Sequence, residues 1–87
     1  MDKNTVMFQI AEHLSDLMQK KKQDTGLSYK EQAKQMGVSY QSLYKYLNAT
    51  VECHGTNLVR IADYFDVSTD WLIGRSATST TSTTIRN

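Results

Sequence analysis

The feature that most constrains the fold of this chain is a segment with start and stop signals for two short helices, SYKEQAKQMGVSYQSLYKYLN, residues 28–48. Ser28 and Glu31 have the spacing of a capping box, in which a hydroxyl and a carboxylate accept hydrogen bonds from free amides at a helix start. Gly37 can take the left-handed conformation that ends a helix, and Ser39 can cap the next one. The segment therefore predicts two helices joined by a tight turn, over residues 29–36 and 40–48.

Three further helices are predicted from apolar residues that recur every three or four positions. The first covers residues 6–22, with Asn4 or Thr5 as its cap and Gly26 as its stop signal. The others cover residues 56–65 and the TDWLIG segment, 69–74, which Ser68 caps. The side chains expected to face the core are Met7, Ile10, Leu14, Leu17, Met18, Leu58, Ile61, Ala62, Phe65, Trp71 and Leu72.

The expected fold is therefore all-α, with five helices in one small domain over residues 1–75. A chain of 87 residues is long enough for one such domain, whose helices must share a single core. The character changes after Gly74, where SATSTTSTT contains eight Ser or Thr in nine residues. Such a segment buries too little apolar surface to fold, so residues 76–87 are predicted to be a disordered tail or a linker.

Composition and charge exclude some classes of protein. The chain has no apolar run of about 18 residues that would span a membrane, and its acidic start does not resemble a signal peptide. A single cysteine, Cys53, cannot form an intramolecular disulfide, so we expect a cytoplasmic protein. Residues 17–48 carry six lysines against Asp24 and Glu31. This basic middle suits a polyanionic partner, although a solvated lysine-rich surface is an equal alternative.

The helix predicted over residues 40–48 has two different faces when successive residues are placed about 100° apart. Leu43, Tyr46 and Leu47 fall on one side and must pack on the domain. The opposite side projects outward and matches the width of a DNA major groove, where amides can pair with adenine and lysine can reach guanine. The predicted base contacts on this side are Tyr40, Gln41, Tyr44, Lys45 and Asn48. For Tyr40 and Tyr44, an ordinary half-buried packing role remains the alternative.

Phosphate contacts are expected around this projecting helix. Lysine and hydroxyl side chains commonly bind phosphate oxygens and set the register of a protein on the duplex. The free amides at the start of the helix over residues 29–36 add a favourable site for one phosphate. The predicted phosphate contacts are Ser28, Tyr29, Lys30, Lys34, Ser39 and Ser42.

The segment resembles the helix-turn-helix of the Cro and lambda-repressor family, also called the xenobiotic-response-element family. The resemblance is carried by Ala33, Gly37, Val38, Leu43 and Tyr46, which stand at the family's spacing. The family's last two helices are similar to the ending VRIADYFDVSTDWLIGR, and the resemblance covers residues 6–75. It implies a compact five-helix DNA-binding domain, as in transcriptional repressors of phage or bacterial origin. It also implies two-fold dimers that bind half-sites about one helical turn apart, roughly 34 Å.

Three positions differ from the usual pattern of that family. Gln32 and Gly55 stand where the family usually has an apolar residue, the second of them near the start of the fourth helix. Tyr29 stands where the family commonly has glutamine at the start of the second helix.

Other kinds of site have weaker support in the sequence. Cys53 and His54 are adjacent but lack a second pair of ligands, so neither a metal site nor a cofactor is predicted. No catalytic triad, carboxylate pair or glycine-rich phosphate loop has the required spacing, so we do not expect an enzyme.

Two classes of function remain. The first is a sequence-specific repressor that binds double-stranded DNA, and the basic middle of the chain favours it. The second is an antirepressor or antitoxin-type regulator of the same fold that acts by binding another protein. Trp71 is expected in the core or in a dimer interface, and residues 69–75 are the predicted contact of a weak homodimer.

Overall fold

The computed structural model describes residues 3–53 and 55–75, and this part of the chain contains five helices and no strand. The helices are α1 (Lys3–Thr25), α2 (Tyr29–Met36), α3 (Tyr40–Leu47), α4 (Gly55–Phe65) and α5 (Thr69–Leu72). The all-α, five-helix prediction is therefore confirmed. His54 and the predicted tail, residues 76–87, lie outside the described residues.

The helices enclose one apolar core. The long helix α1 packs against α2, α3 and α5, while α4 packs against α2 and α5. Because α1 contributes buried residues at four-residue spacing, a single stripe of this helix reaches three other helices. The buried apolar side chains are Ile10, Leu14, Met18, Ala33, Met36, Val38, Leu43, Tyr46, Cys53, Ile61, Ala62, Val67 and Leu72.

Local signals in the sequence account for the ends of the short helices. The Ser28 hydroxyl accepts from the Glu31 amide at 3.1 Å, and the Ser28 amide donates to Glu31 Oε1 at 3.0 Å, which confirms the capping box. Gly37 ends α2 with φ +81°. Ser39 and Ser68 cap α3 and α5 as predicted, each through a hydroxyl that accepts from an amide three residues ahead.

The predicted bounds of the first helix were wrong at both ends. The helix starts at Lys3, so Asn4 and Thr5 lie inside it and neither can be its cap. Asparagine and threonine reduce helix stability by only a few tenths of a kcal/mol, so they do not stop a helix. At the other end α1 continues to Thr25, because only Gly26, with φ +78°, interrupts the helical backbone.

Three other helix bounds also differ from the predictions. α3 ends at Leu47, and Asn48 caps it by donating its Nδ2 hydrogen to the Tyr44 carbonyl at 2.8 Å. α4 begins one residue early, at Gly55, whose φ of +62° turns the chain into the helix. α5 ends at Leu72 rather than at residue 74.

Gln32 occupies a position in the core where the family usually has an apolar side chain. It is fully buried, and its Nε2 group donates to the carbonyls of Met18 and Leu27, both at 3.1 Å. The Gln32 Oε1 is also buried but has no hydrogen-bond partner among the described residues, so the cost of removing this amide from water is only partly recovered. The polar side chain thus links α1 and the loop after it to α2.

Cys53 gives the fold a predicted response to alkaline pH. Burial raises the pKa of its thiol from 9.0 to about 12, against a smaller lowering by the hydrogen bond with Tyr46. The native chain therefore keeps this proton to higher pH than the unfolded chain does. The free energy of unfolding should fall as pH rises from about 9 towards 12, and the stabilisation should be fully present below about 9.

Denaturant titrations of the wild type and Cys53→Ala across this pH range measure the effect. The slope of stability against pH should be smaller in the variant. It should not vanish, because burial also raises the pKa of the Tyr64 phenol. Equal slopes in the two proteins would show that the Cys53 thiol is not held protonated by the fold.

Candidate nucleic-acid interface

One side of α3 is open to solvent along its whole length. Leu43 and Tyr46 are buried, and Leu47 is half-buried, so the helix packs on the domain through the side predicted from periodicity. All five predicted base-contact residues are exposed, and we call them the outer face of α3: Tyr40, Gln41, Tyr44, Lys45 and Asn48. The structure therefore brings these five side chains together on one accessible surface.

The two tyrosines of the outer face differ in exposure. Tyr44 is 57% exposed, whereas Tyr40 is 37% exposed and so still fits the alternative of a half-buried packing role. Their ring centroids lie 6.4 Å apart at an interplanar angle of 43°, so they form a tilted pair along the helix. Exposed rings held in this way can contact thymine methyl groups or stack against sugars, because each offers a flat apolar face and a polar hydroxyl.

Two lysine–tyrosine contacts connect α1 to α2 and α2 to α3. The Lys30 ammonium lies 5.5 Å from the Tyr40 ring centroid, and the Lys22 ammonium lies 5.7 Å from the Tyr29 ring centroid. Both distances allow a cation–π attraction, which at an exposed site contributes about 0.5–1 kcal/mol. The Lys30–Tyr40 pair places positive charge beside the outer face, and both lysines remain exposed.

The predicted phosphate contacts are partly engaged within the chain. The Ser39 hydroxyl donates to the Ser42 hydroxyl at 2.9 Å, and the capping box uses the Ser28 hydroxyl and amide. The Glu31 amide is also engaged, so a phosphate at the start of α2 would meet the amides of the first turn that the box leaves open. Lys30 and Lys34 are exposed and Tyr29 is half-buried, so the lysines are the most accessible of these groups.

The sequence analysis did not identify three side chains of α4 that contact α2, the turn at Gly37 or α3. Asn57 donates to the Tyr46 hydroxyl at 2.7 Å, and Arg60 donates from Nη1 to the Gly37 carbonyl at 2.7 Å. The Tyr64 hydroxyl donates to Gln35 Oε1. Polar residues at three- and four-residue spacing on a helix next to the motif were the available signal.

Two negative findings apply to the described residues alone. Within residues 3–53 and 55–75, no three or more His, Cys, Asp or Glu side chains converge in a way that could hold a metal ion. No helix in the same ranges has both the length and the apolar character that a membrane crossing requires.

Comparison with known proteins identifies the motif. A helix-turn-helix family model matches residues 17–72, which is more than half of the 87-residue chain. Comparisons with curated proteins and with solved structures gave no match. The matched range includes α2, the turn at Gly37 and α3, and members of this family are typically regulators rather than enzymes. The chain therefore belongs to the helix-turn-helix family of the Cro and xenobiotic-response-element type, a family of DNA-binding transcription regulators.

Proposed function

We propose that this protein is a sequence-specific repressor that binds double-stranded DNA at phage or bacterial promoters, with α3 as its recognition helix. The observation that supports this most directly is the outer face of α3, where amide, phenol and ammonium groups are exposed together on a helix whose other side is buried. These are the side-chain groups that can read base edges in a major groove.

The residues of the motif would divide into two roles. On the outer face, Gln41 and Asn48 offer paired donors and acceptors for adenine, and Lys45 offers a donor for guanine. Lys30 and Lys34 on α2 would bind phosphates and so fix the register of α3 on the duplex. Asn48 would first have to release its hydrogen bond to the Tyr44 carbonyl, which is exposed and therefore inexpensive to exchange.

We also propose that two copies bind each operator. One recognition helix covers only a few base pairs, whereas paired half-sites about one helical turn apart give a regulator enough discrimination. Residues 69–75 are the candidate contact between the copies. Leu72 is buried and Trp71 stacks on His13 at a centroid distance of 4.0 Å, so much of this apolar ending packs inside the monomer. A small remaining contact predicts a weak dimer.

Stoichiometry and salt dependence test this function together. Sedimentation at micromolar concentration without DNA should detect mostly monomer, while a palindromic operator should bind two copies cooperatively. Footprinting on the DNA that flanks the chain's own gene would supply that operator. The association constant should fall linearly with salt concentration on a log–log plot, because lysines release counterions from phosphates. Two results would favour an antirepressor or antitoxin-type protein-binding role: saturation of the operator by one copy, or an affinity that does not change with salt concentration.

Two substitutions should separate base contacts from phosphate contacts. Gln41→Ala should lose roughly 1–3 kcal/mol of discrimination at particular base pairs, because it removes a side chain that reads a base edge. Lys34→Ala should weaken operator and random DNA alike and lower the salt slope by about one. Binding titrations with both duplexes measure these effects. Equal losses on operator and random DNA for Gln41→Ala would exclude it as a base contact.

A further inference from the structure

Three side chains on one face of α4 each bind a different part of the helix-turn-helix. Asn57, Arg60 and Tyr64 are spaced three and four residues apart, so they line up along the helix. Their acceptors are the Tyr46 hydroxyl on α3, the Gly37 carbonyl in the turn, and the Gln35 carboxamide on α2. We call Asn57, Arg60 and Tyr64 the α4 polar strip.

Arg60 occupies the middle of this strip and contacts the turn itself. Its Nη1 donates to the Gly37 carbonyl at 2.7 Å, across 23 residues of sequence. A Cβ atom placed on Gly37 would lie 3.8 Å from Arg60 Cδ and Nη1, so the guanidinium arm lies directly against the glycine backbone. The contact joins a charged donor to a carbonyl at the junction of α2 and α3. Charge strengthens a hydrogen bond, but this one is exposed, so water competes for both groups.

Apolar packing sets the angle at which α3 projects only to within the roughly 15–20° scatter that packed helices show. Burial of Leu43 and Tyr46 holds the inner side of α3 against α1, but hydrophobic burial is non-directional. Hydrogen bonds depend steeply on distance and angle, and they can therefore select one orientation among several that bury similar area.

From this arrangement we infer that the α4 polar strip, with Arg60 at its centre, positions the turn and α3 and thereby sets how well the protein discriminates its operator from other DNA. The inference rests on the proposed DNA-binding function. Arg60 acts through the turn and is a positioning residue, because its donor is directed at a backbone carbonyl of the same chain. Asn57 and Tyr64 support the two helices on either side of that carbonyl.

A phosphate contact by Arg60 is the competing explanation, and it predicts a different result. Loss of a phosphate contact weakens binding to all sequences alike and lowers the salt slope by about one. Loss of a positioning contact leaves the count of released counterions unchanged. It weakens the operator complex selectively, since only a correctly placed α3 reads base edges.

The test compares Arg60→Met with Lys20→Met and Arg60→Lys. Lys20 is an exposed α1 lysine that pairs with Asp24 at 3.4 Å. Its replacement also removes one positive charge, but at a site away from the turn. The DNA probes are a duplex selected from a random-sequence pool with the wild-type protein and a random duplex of equal length. Binding is measured over a salt series, and amide hydrogen exchange at Gly37 and Val38 is measured without DNA.

For Arg60→Met we expect the preference for the selected duplex to fall roughly two- to tenfold, because the lost hydrogen bond is exposed to solvent and contributes about as much as a typical intramolecular one. The salt slope should remain unchanged, and exchange at the turn should be faster. Arg60→Lys should recover part of the preference because it keeps a charged donor. Lys20→Met should leave both the preference and the exchange at wild-type levels. Tyr64→Phe, which removes one hydroxyl and keeps the ring, should show a smaller loss in the same direction.

Three results would overturn the inference. An equal loss on both duplexes with a shallower salt slope would make Arg60 a phosphate contact. An unchanged preference, or turn exchange identical to wild type, would show that the turn is held without Arg60. If the wild type itself shows no preference among duplexes, the proposed function fails, while the exchange data still decide whether Arg60 holds the turn.

Discussion

Replacing Leu43 by alanine should lower the free energy of unfolding by about 2–5 kcal/mol, the range found for leucine truncations in protein cores. Leu43 is 0% exposed and lies on the inner side of α3, which packs against α1. Alanine would lose the transfer free energy of the removed atoms and leave a cavity that the surrounding helices fill only in part. A loss of this size is a large share of the stability of a small domain.

Urea denaturation followed by circular dichroism measures this loss, with Val59→Ala as the matched control. Val59 is an apolar residue of α4 but is 50% exposed, so its truncation should change stability by no more than about 0.5 kcal/mol. If Leu43→Ala does not fold at all, Leu43→Val provides a smaller truncation of the same site. A Leu43→Ala protein as stable as the Val59→Ala protein would contradict the buried position of this side chain.

Replacing Gly37 by valine should destabilise the domain by up to about 3 kcal/mol, because L-residues with a branched Cβ resist the left-handed conformation. Gly37 has φ +81°, and its amide and the Val38 amide donate to carbonyls of the last turn of α2. This is a Schellman ending, which needs a residue with positive φ just past the helix. An added Cβ would meet Arg60 at ordinary contact distance, so conformation rather than steric overlap accounts for the cost.

Gly37→Asn is the control for this prediction. Asparagine tolerates the left-handed region better than other L-residues, so its thermal midpoint should lie between those of the wild type and Gly37→Val. If Gly37→Val melted at the wild-type temperature, the turn would not have the left-handed geometry described above. A wild-type midpoint for Gly37→Val would also show that position 37, next to Arg60, does not require glycine.

The outer face of α3 was predictable, but the state of its side chains was not. Periodicity alone separates the inner residues Leu43 and Tyr46 from the five exposed positions, since a helix repeats every 3.6 residues whatever surrounds it. Periodicity does not indicate that the Ser39 and Ser42 hydroxyls bind each other, or that Asn48 caps its own helix. Their roles at DNA remain predictions that the binding experiments above must test.

Local contacts explain what the sequence by itself determined. The capping box at Ser28, the left-handed Gly37 and the caps at Ser39 and Ser68 involve partners within five residues, so short motifs specify the bounds of α2 and the starts of α3 and α5. The same locality explains the errors at α1, because weak helix formers such as Asn4 and Thr5 resemble caps in a sequence but do not compel a helix to start.

The tertiary structure alone decided the polar contacts between distant residues. Gln32 donates to the Met18 carbonyl, 14 residues away, and Arg60 donates to the Gly37 carbonyl, 23 residues away. His13 forms a hydrogen bond with the Leu72 carbonyl, 59 residues away. Such partners depend on how whole helices pack, since a hydrogen bond requires its two atoms to meet within a few tenths of an ångström. No spacing rule within one helix contains that information, so the sequence determined the helices and the outer face of α3, while packing decided which polar groups contact α3 and the turn.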